Sequence, residues 1–178
     1  MPLRLLTEKD LPLIRRWRNA PEVRNNMFTT HEINEIEHKA WFLKNLGDPT
    51  TIWYIHTERD TNPDGVVGFT QYHREQRTAF WGFYLGFDAK KGSGLKLGIE
   101  GLNEAFGGLN LYKLNAEVLS SNNKSLSFHR KLGFEQEGCF KRDHFNGKEY
   151  IDVYRFGITS SIWEKRREEL NNSLAENL

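Results

Sequence analysis

Cysteine is almost missing from this chain. Cys139 is the only one, so no intramolecular disulfide staples the fold and no group of thiolates can hold a metal. Long apolar runs are missing too: no stretch approaches the ~18 apolar residues of a spanning helix, and the N-terminus has no apolar signal core. Nor is there an excess of charge. The 25 Lys plus Arg oppose 24 Asp plus Glu, a formal net charge of +1, which supplies no global field for nucleic acid or an anionic membrane. Any anionic ligand must be held locally. These absences imply a soluble protein of the reducing cytoplasm with no metal, nucleic-acid or membrane partner. What is present is a chain of 178 residues, enough to bury the core of one domain. Aromatics make up 13% of it and include five Trp, which serve as core filler as readily as binding surface.

Periodicity divides the chain into elements. Pro2 to Leu6 reads as a short strand, and Thr7 with Asp10 forms an acidic variant of a capping box ahead of a helix carrying Leu11, Ile14 and Trp17. That helix should yield near Asn19-Ala20-Pro21. A second helix is expected from about His31 to Leu46, with Ile33, Ile36, Ala40, Leu43 and Leu46 as its apolar side. Strands follow at Thr51 to Thr57, Val66 to His73 and Ala79 to Phe87, the first two joined by a turn-rich segment from Arg59 to Gly65. A helix from about Leu95 to Phe106, a strand from Lys113 to Leu119 and a helix from Asn123 to Lys131 come next. Two strands around Asn146-Gly147, a type I′ hairpin signal, and a polar helix from Ser160 complete the order. No repeat or linker interrupts it, so one α+β domain is expected over 1–170, with a polar tail at 171–178.

Two segments carry chemistry. In Asp88-Ala89-Lys90-Lys91-Gly92-Ser93-Gly94-Leu95, a strand gives way to a helix through glycines, so exposed amides and a helix N-terminus face an anion with lysines beside them. Solvent-facing lysines around a turn would look the same. The segment is no Walker A loop, lacking Gly-Lys-Ser/Thr, and no dinucleotide fingerprint, having Leu97 where a third small residue belongs. In Asn122-Asn123-Lys124-Ser125-Leu126-Ser127-Phe128-His129-Arg130-Lys131-Leu132-Gly133-Phe134, Asn122 suits a helix cap and Gly133 the C′ position.

Together and in this order, the two segments resemble the cofactor motifs of the GNAT acetyltransferases, and the resemblance spans most of the chain. It implies a single-domain GNAT fold: a mixed central sheet of about seven strands flanked by helices, with splayed strands at the acetyl-CoA site. It implies acetyl-CoA as cosubstrate, with Phe83, Tyr84 and Leu85 along the pantetheine and Lys90, Lys91, Gly92, Ser93, Gly94 and Leu95 at the phosphates. Asn122, Ser125 and Phe128 would contact the cofactor as well. Ala89 stands where the family usually has Arg or Gln, and His129 where it usually has the Tyr that protonates the departing thiolate.

The chemistry needs an oxyanion donor, a base for the amine and an acid for the thiolate. The Leu85 amide is the family-implied donor, Glu117 a candidate base, and His129 either the acid, the anchor of a water, or packing. Cys139 has no base beside it in sequence and reads as buried filler. Around the loop between the first two helices, the string from Trp17 to Phe28 with Glu37 to Phe42 closely resembles the N-acetyltransferases of pseudaminic acid biosynthesis, which acetylate a UDP-linked 4-amino-4,6-dideoxy sugar. That implies Arg18, Met27 and Phe28 at the nucleotide, His38 and Trp41 on the acceptor side with His38 near the reacting amine, and Thr70 and Gln71 at the sugar. The alternatives are a protein N-terminal or small-amine acetyltransferase, a CoA-binding module without turnover, and an interaction domain. Homodimerisation is left open.

Overall fold

The computed structural model describes residues 2–57 and 62–175. The turn residues 59–61 and the last three residues lie outside it. In order, the elements are β1 (Leu3–Leu5), α1 (Leu11–Asn19), a one-turn α2 (Pro21–Arg24), α3 (Glu35–Leu46), β2 (Ile52–Thr57), β3 (Pro63–His73) and β4 (Thr78–Leu85). Then come α4 (Ser93–Asn103), β5 (Lys113–Leu119), α5 (Asn123–Leu132), β6 (Glu135–Phe145), β7 (Tyr150–Thr159) and α6 (Ser160–Ala175). The boundary drawn at 170 falls inside α6. All seven strands form one sheet in the order β1-β2-β3-β4-β5-β7-β6. Every neighbouring pair is antiparallel except β4 and β5, which run parallel. This is the α+β GNAT fold with a seven-stranded mixed sheet.

Strand alternation sends side chains to two cores. On one face Val67, Phe69, Trp81 and Leu114 meet Leu97 of α4, Leu126 and Leu132 of α5 and Trp163 of α6. On the other, Ile55 and Val66 meet Leu11, Ile14 and Trp17 of α1 and Phe42 of α3. Trp17 is fully buried.

Local hydrogen bonds explain where expected boundaries shift. α3 begins at Glu35 rather than His31 because Asn34 is its cap, its Oδ1 accepting the Glu37 amide at 2.9 Å. Residues before it are held extended instead, Asn19 exchanging two hydrogen bonds with the backbone of Ile33. The expected apolar side of α3 is also corrected. Ile36, Leu43 and Leu46 are 83%, 53% and 70% exposed, whereas His38 and Phe42 are buried. Trp53 on β2 explains the rotation: its indole N–H donates to Asn45 Oδ1 at 3.0 Å and its ring meets Trp41 edge-on, so the 38–41–45 stripe turns inward. β4 stops at Leu85, since the Gly86 amide turns back to the Asp64 carbonyl. The helix expected to reach Phe106 is regular only to Asn103 and widens into a π-turn over Glu104–Gly108. Cys139 is half-buried and its thiol lies 3.6 Å from Asp152, so it is not core filler.

Among the described residues, no helix is long and apolar enough to cross a membrane.

Candidate active site

The site begins where two strands part. β4 pairs with β5 only from Thr78 to Phe80, opposite Lys113 to Asn115. β5 continues to Leu119 paired with β7 alone, so from Trp81 onward the β5-facing edge of β4 has unpaired backbone groups that need a partner. The expected splay is there. On its α5 side Phe83 packs against Phe128, ring centroids 5.1 Å apart, and Gly98 lets α4 approach so closely that a Cβ there would sit 2.7 Å from Phe128.

At the far end of β4 the chain turns through Gly92, whose φ of 96° is the left-handed value glycine tolerates best. The amides of Ser93 and Leu95 bond back to Lys90 and Gly92, while those of Lys91, Gly92 and Gly94 have no backbone acceptor. The Ser93 hydroxyl is buried without a partner. Orphan amides at the positive end of α4, with exposed Lys90 and Lys91 alongside, are what a pyrophosphate requires. Asn122 caps α5, its Oδ1 accepting the Ser125 amide at 3.1 Å, and Gly133 ends that helix at φ 97°. These residues fit coenzyme A: orphan donors for the phosphates and an unpaired strand edge for the peptide-like pantetheine. Among the described residues there is no group of three or more His, Cys, Asp or Glu that could hold a metal.

The opposite face of β4 presents Phe80, Gly82 and Tyr84. Tyr84 was expected at the pantetheine, but its side chain packs with the α1 and α3 core, facing away from Phe83. Burial pushes its phenol above the ordinary range and Arg18 opposes this. Arg18 donates from Nη2 to the Thr29 carbonyl at 2.7 Å, while its Nη1, the Arg24 Nε and the His38 Nδ1 are buried with no partner. Burial, then Arg15 and Arg18, lower the His38 pKa and favour its neutral form. His38 stacks on Trp41 at 5.2 Å and 4°, Trp41 meets Trp53, and Trp53 lies over Gly68, where a Cβ would collide with its ring at 2.3 Å. Gly82, cross-strand from Gly68, has nothing within 4 Å of where its Cβ would be. An aromatic wall therefore stands beside a bare strand floor. Across the fork, Glu117 accepts from Arg155 Nη2 at 2.5 Å, and Arg155 lies 4.5 Å over the Phe80 ring.

Arg18, His38, Trp41 and Tyr84 thus come together on one face. Met27 is half-buried, and Phe28 reaches the β6–β7 hairpin, edge-on to His144 at 5.2 Å. Thr70 pairs with Phe80, and Gln71, at φ 50°, lines a cleft of about 360 Å³ with Thr50, His73, Gln76 and Thr78. That cleft lies four residues along β4 from Tyr84, roughly 13 Å, so Gln71 does not join the Arg18 group. His129 lies in the core. It is only 3% exposed, its Nδ1–H donates to the Ser125 carbonyl at 2.8 Å and its Nε2 accepts from Trp81 Nε1 at 3.2 Å. Burial pushes its pKa down to about 4. The neutral imidazole thus has its one N–H held by Ser125 and its lone pair held by Trp81.

Sequence reasoning missed Trp53, Gly82 and Arg155. A glycine inside an aromatic strand is a signal of close approach that could have exposed Gly82; the others depend on cross-strand neighbours that no local pattern encodes.

A strand fork facing a helix N-terminus with orphan amides is the arrangement of a CoA-dependent acyltransferase. The acetyltransferase (GNAT) domain family matches residues 1–135, and the chain belongs to that family, as an N-acetyltransferase with acetyl-CoA as cosubstrate. A SPbeta prophage-derived uncharacterized N-acetyltransferase, YokL of Bacillus subtilis, is 28% identical over 80% of this chain and 81% of its own. The acetyltransferase PseH of Campylobacter jejuni is 28% identical over 72% of this chain and 79% of its own. The crystal structure of spermidine N-acetyltransferase from Vibrio cholerae, in complex with CoA and spermine, superposes with a TM-score of 0.83 at 24% identity, covering 90% of this chain and 96% of that one. At that identity it speaks for the fold.

Proposed function

We propose that the acceptor is an anionic amino sugar, a UDP-linked 4-amino-4,6-dideoxy-N-acetyl sugar of the pseudaminic acid type, acetylated on its 4-amino group. The observation that carries this reading is the pair of half-buried guanidiniums at Arg18 and Arg24, each with one N–H buried and unpaired, beside the neutral His38 ring, whose Nδ1 is also unpaired. Buried unpaired donors are costly, on the order of 1–3 kcal/mol each, and a diphosphate would satisfy them. The Trp41–His38 stack beside Gly82 offers a flat surface to a base or sugar. The likeness to PseH supports the same reading.

A polyamine acceptor is the second reading, since a spermidine acetyltransferase shares the fold. Acidic residues of the segment leading into α3 each lie near a basic side chain: Glu35 3.9 Å from Arg15, Glu32 3.9 Å from Arg24, and Glu37 2.8 Å from His31. A cationic acceptor would have to displace these partners and sit beside Arg18, which disfavours it.

Acetyl-CoA supplies an acetyl group activated as a thioester. Lys90, Lys91 and the amides of the Gly92, Ser93, Gly94 and Leu95 turn hold its phosphates, Asn122, Ser125 and Phe128 flank it, and the free edge of β4 at Phe83 to Leu85 aligns its arm. The Leu85 amide is the proposed donor to the thioester oxygen. Glu117 and neutral His38 are the groups on the acceptor face able to take the amine's proton.

The test is acetyl-CoA turnover, by thiol release and product mass, against UDP-4-amino-4,6-dideoxy sugars, dTDP counterparts, polyamines and N-terminal peptides. Turnover confined to the UDP-amino sugar is expected. Preference for a polyamine or peptide would overturn the acceptor and leave the fold; a dTDP preference would correct the nucleotide.

A further inference from the structure

His129 touches both arms of the strand fork. On the β4 arm, Trp81 is the first residue beyond the last β4–β5 pair, and its indole N–H is spent on His129 Nε2. On the β5–β7 arm, the imidazole stacks on Phe156 at 5.6 Å and 28°. Phe134, at the start of β6, closes the contact, stacked on Trp81 at 5.3 Å and edge-on to His129 at 5.0 Å. The Ser125 carbonyl holds the proton on Nδ1, which leaves Nε2 as acceptor and makes the Trp81 bond directional. Phe83, on the wall of the fork, also packs against His129.

We propose that His129 is a positioning residue rather than a catalytic acid: by hydrogen-bonding Trp81 at the branch point it fixes the opening between β4 and β5, and so the slot that receives the acyl-pantetheine arm. A group buried among five aromatic rings and bonded at both nitrogens is arranged to hold geometry. The chemistry does not demand an acid at this position, because a thiol of pKa about 8.5 departs as the thiolate far more readily than an amine or alkoxide. A proton from solvent suffices afterwards.

Three variants of the full-length chain separate the roles, with CoA affinity measured by calorimetry so that no acceptor is needed. His129→Phe removes the acceptor atom and Trp81→Phe removes the donor; each should weaken CoA binding about five- to tenfold, the range expected from one lost buried hydrogen bond. The double variant should be no weaker than the worse single, since both break one bond. His129→Gln keeps an acceptor for the Trp81 N–H without a titrating group, and should recover CoA affinity to within about threefold and acetyl transfer with an unchanged pH profile. Should His129→Phe fail to fold, Trp81→Phe and His129→Gln carry the test. The proposal is overturned if His129→Phe binds CoA like the native chain, or if His129→Gln binds CoA normally yet loses turnover and a limb of the pH profile.

Discussion

Arg18 is half-buried, and it spends Nη2 on the Thr29 carbonyl while its Nη1, shielded from solvent, has no partner. Burial lowers its pKa from the ordinary Arg value, but an Arg remains charged at any working pH. That leaves a fixed positive charge with an open donor on the face proposed for the acceptor. His129 shows the opposite use of burial: its charge is suppressed, its one N–H is held by the Ser125 carbonyl and its lone pair by the Trp81 indole. Its folded pKa of about 4 lies below the unfolded value of 6.5, so the unfolded chain binds more protons between those limits and stability rises with pH across them. The contribution is complete above about pH 6.5 and is lost as pH falls toward 4, a change on the order of 3 kcal/mol. Thermal melts from pH 8 to 4 should show His129→Phe with a shallower acid limb than the native chain; parallel curves would mean that His129 titrates normally in the fold.

At the scale of elements, β4 carries both proposed sites. Its odd positions, Trp81, Phe83 and Leu85, belong to the α4 and α5 core, and its even positions, Gly82 and Tyr84, to the opposite face, the proposed acceptor side. The chain therefore needs a strand that is free on one edge and bare at one point of one face. Gly82 supplies the bare point. A Cβ there meets no atom of the protein within 4 Å and a valine suits a strand, so Gly82→Val should keep its melting temperature within about 3 °C. Its methyls would fill the floor beside the Trp53 wall and lower kcat/KM for the acceptor at least ~10-fold, about 1.4 kcal/mol, with CoA affinity from the opposite face little changed. Native acceptor kinetics in this variant would remove Gly82 from the cleft.

For the whole molecule, the fork sits in the middle of the sheet, between a β1–β4 half and a β5–β7–β6 half joined by only three paired positions. A ligand that bridges the two halves stabilises the entire fold by mass action. At 100 times its Kd, CoA should add about 2.7 kcal/mol, a rise of roughly 5–10 °C for a domain of this size. Pantetheine, which lacks every phosphate, should raise it far less, whereas dephospho-CoA, which keeps the pyrophosphate for the Gly92 turn and lacks only the 3′-phosphate, should raise it nearly as much as CoA. Equal shifts for all three would mean that the turn amides do not hold phosphate.

Local pattern carried a large share of this. The order of strands and helices, the Asn122 cap, the glycine turn and the Asn146-Gly147 hairpin are written in residues adjacent to one another, because capping, turn conformation and alternation act over a few positions. The bounds of β5 were readable to the residue for that reason. What local pattern could not settle was orientation and partnership. Ile36, Leu43 and Leu46 looked like the core face of α3 until Trp53 and Asn45 turned another stripe inward; Tyr84 was read along the pantetheine with Phe83, and strand alternation placed its side chain with Arg18; His129 could be an acid, a water anchor or packing by sequence, and in the fold Trp81, 48 residues away, takes its lone pair. Each outcome depends on an atom far away in the chain, and only the folded sheet brings that atom within reach.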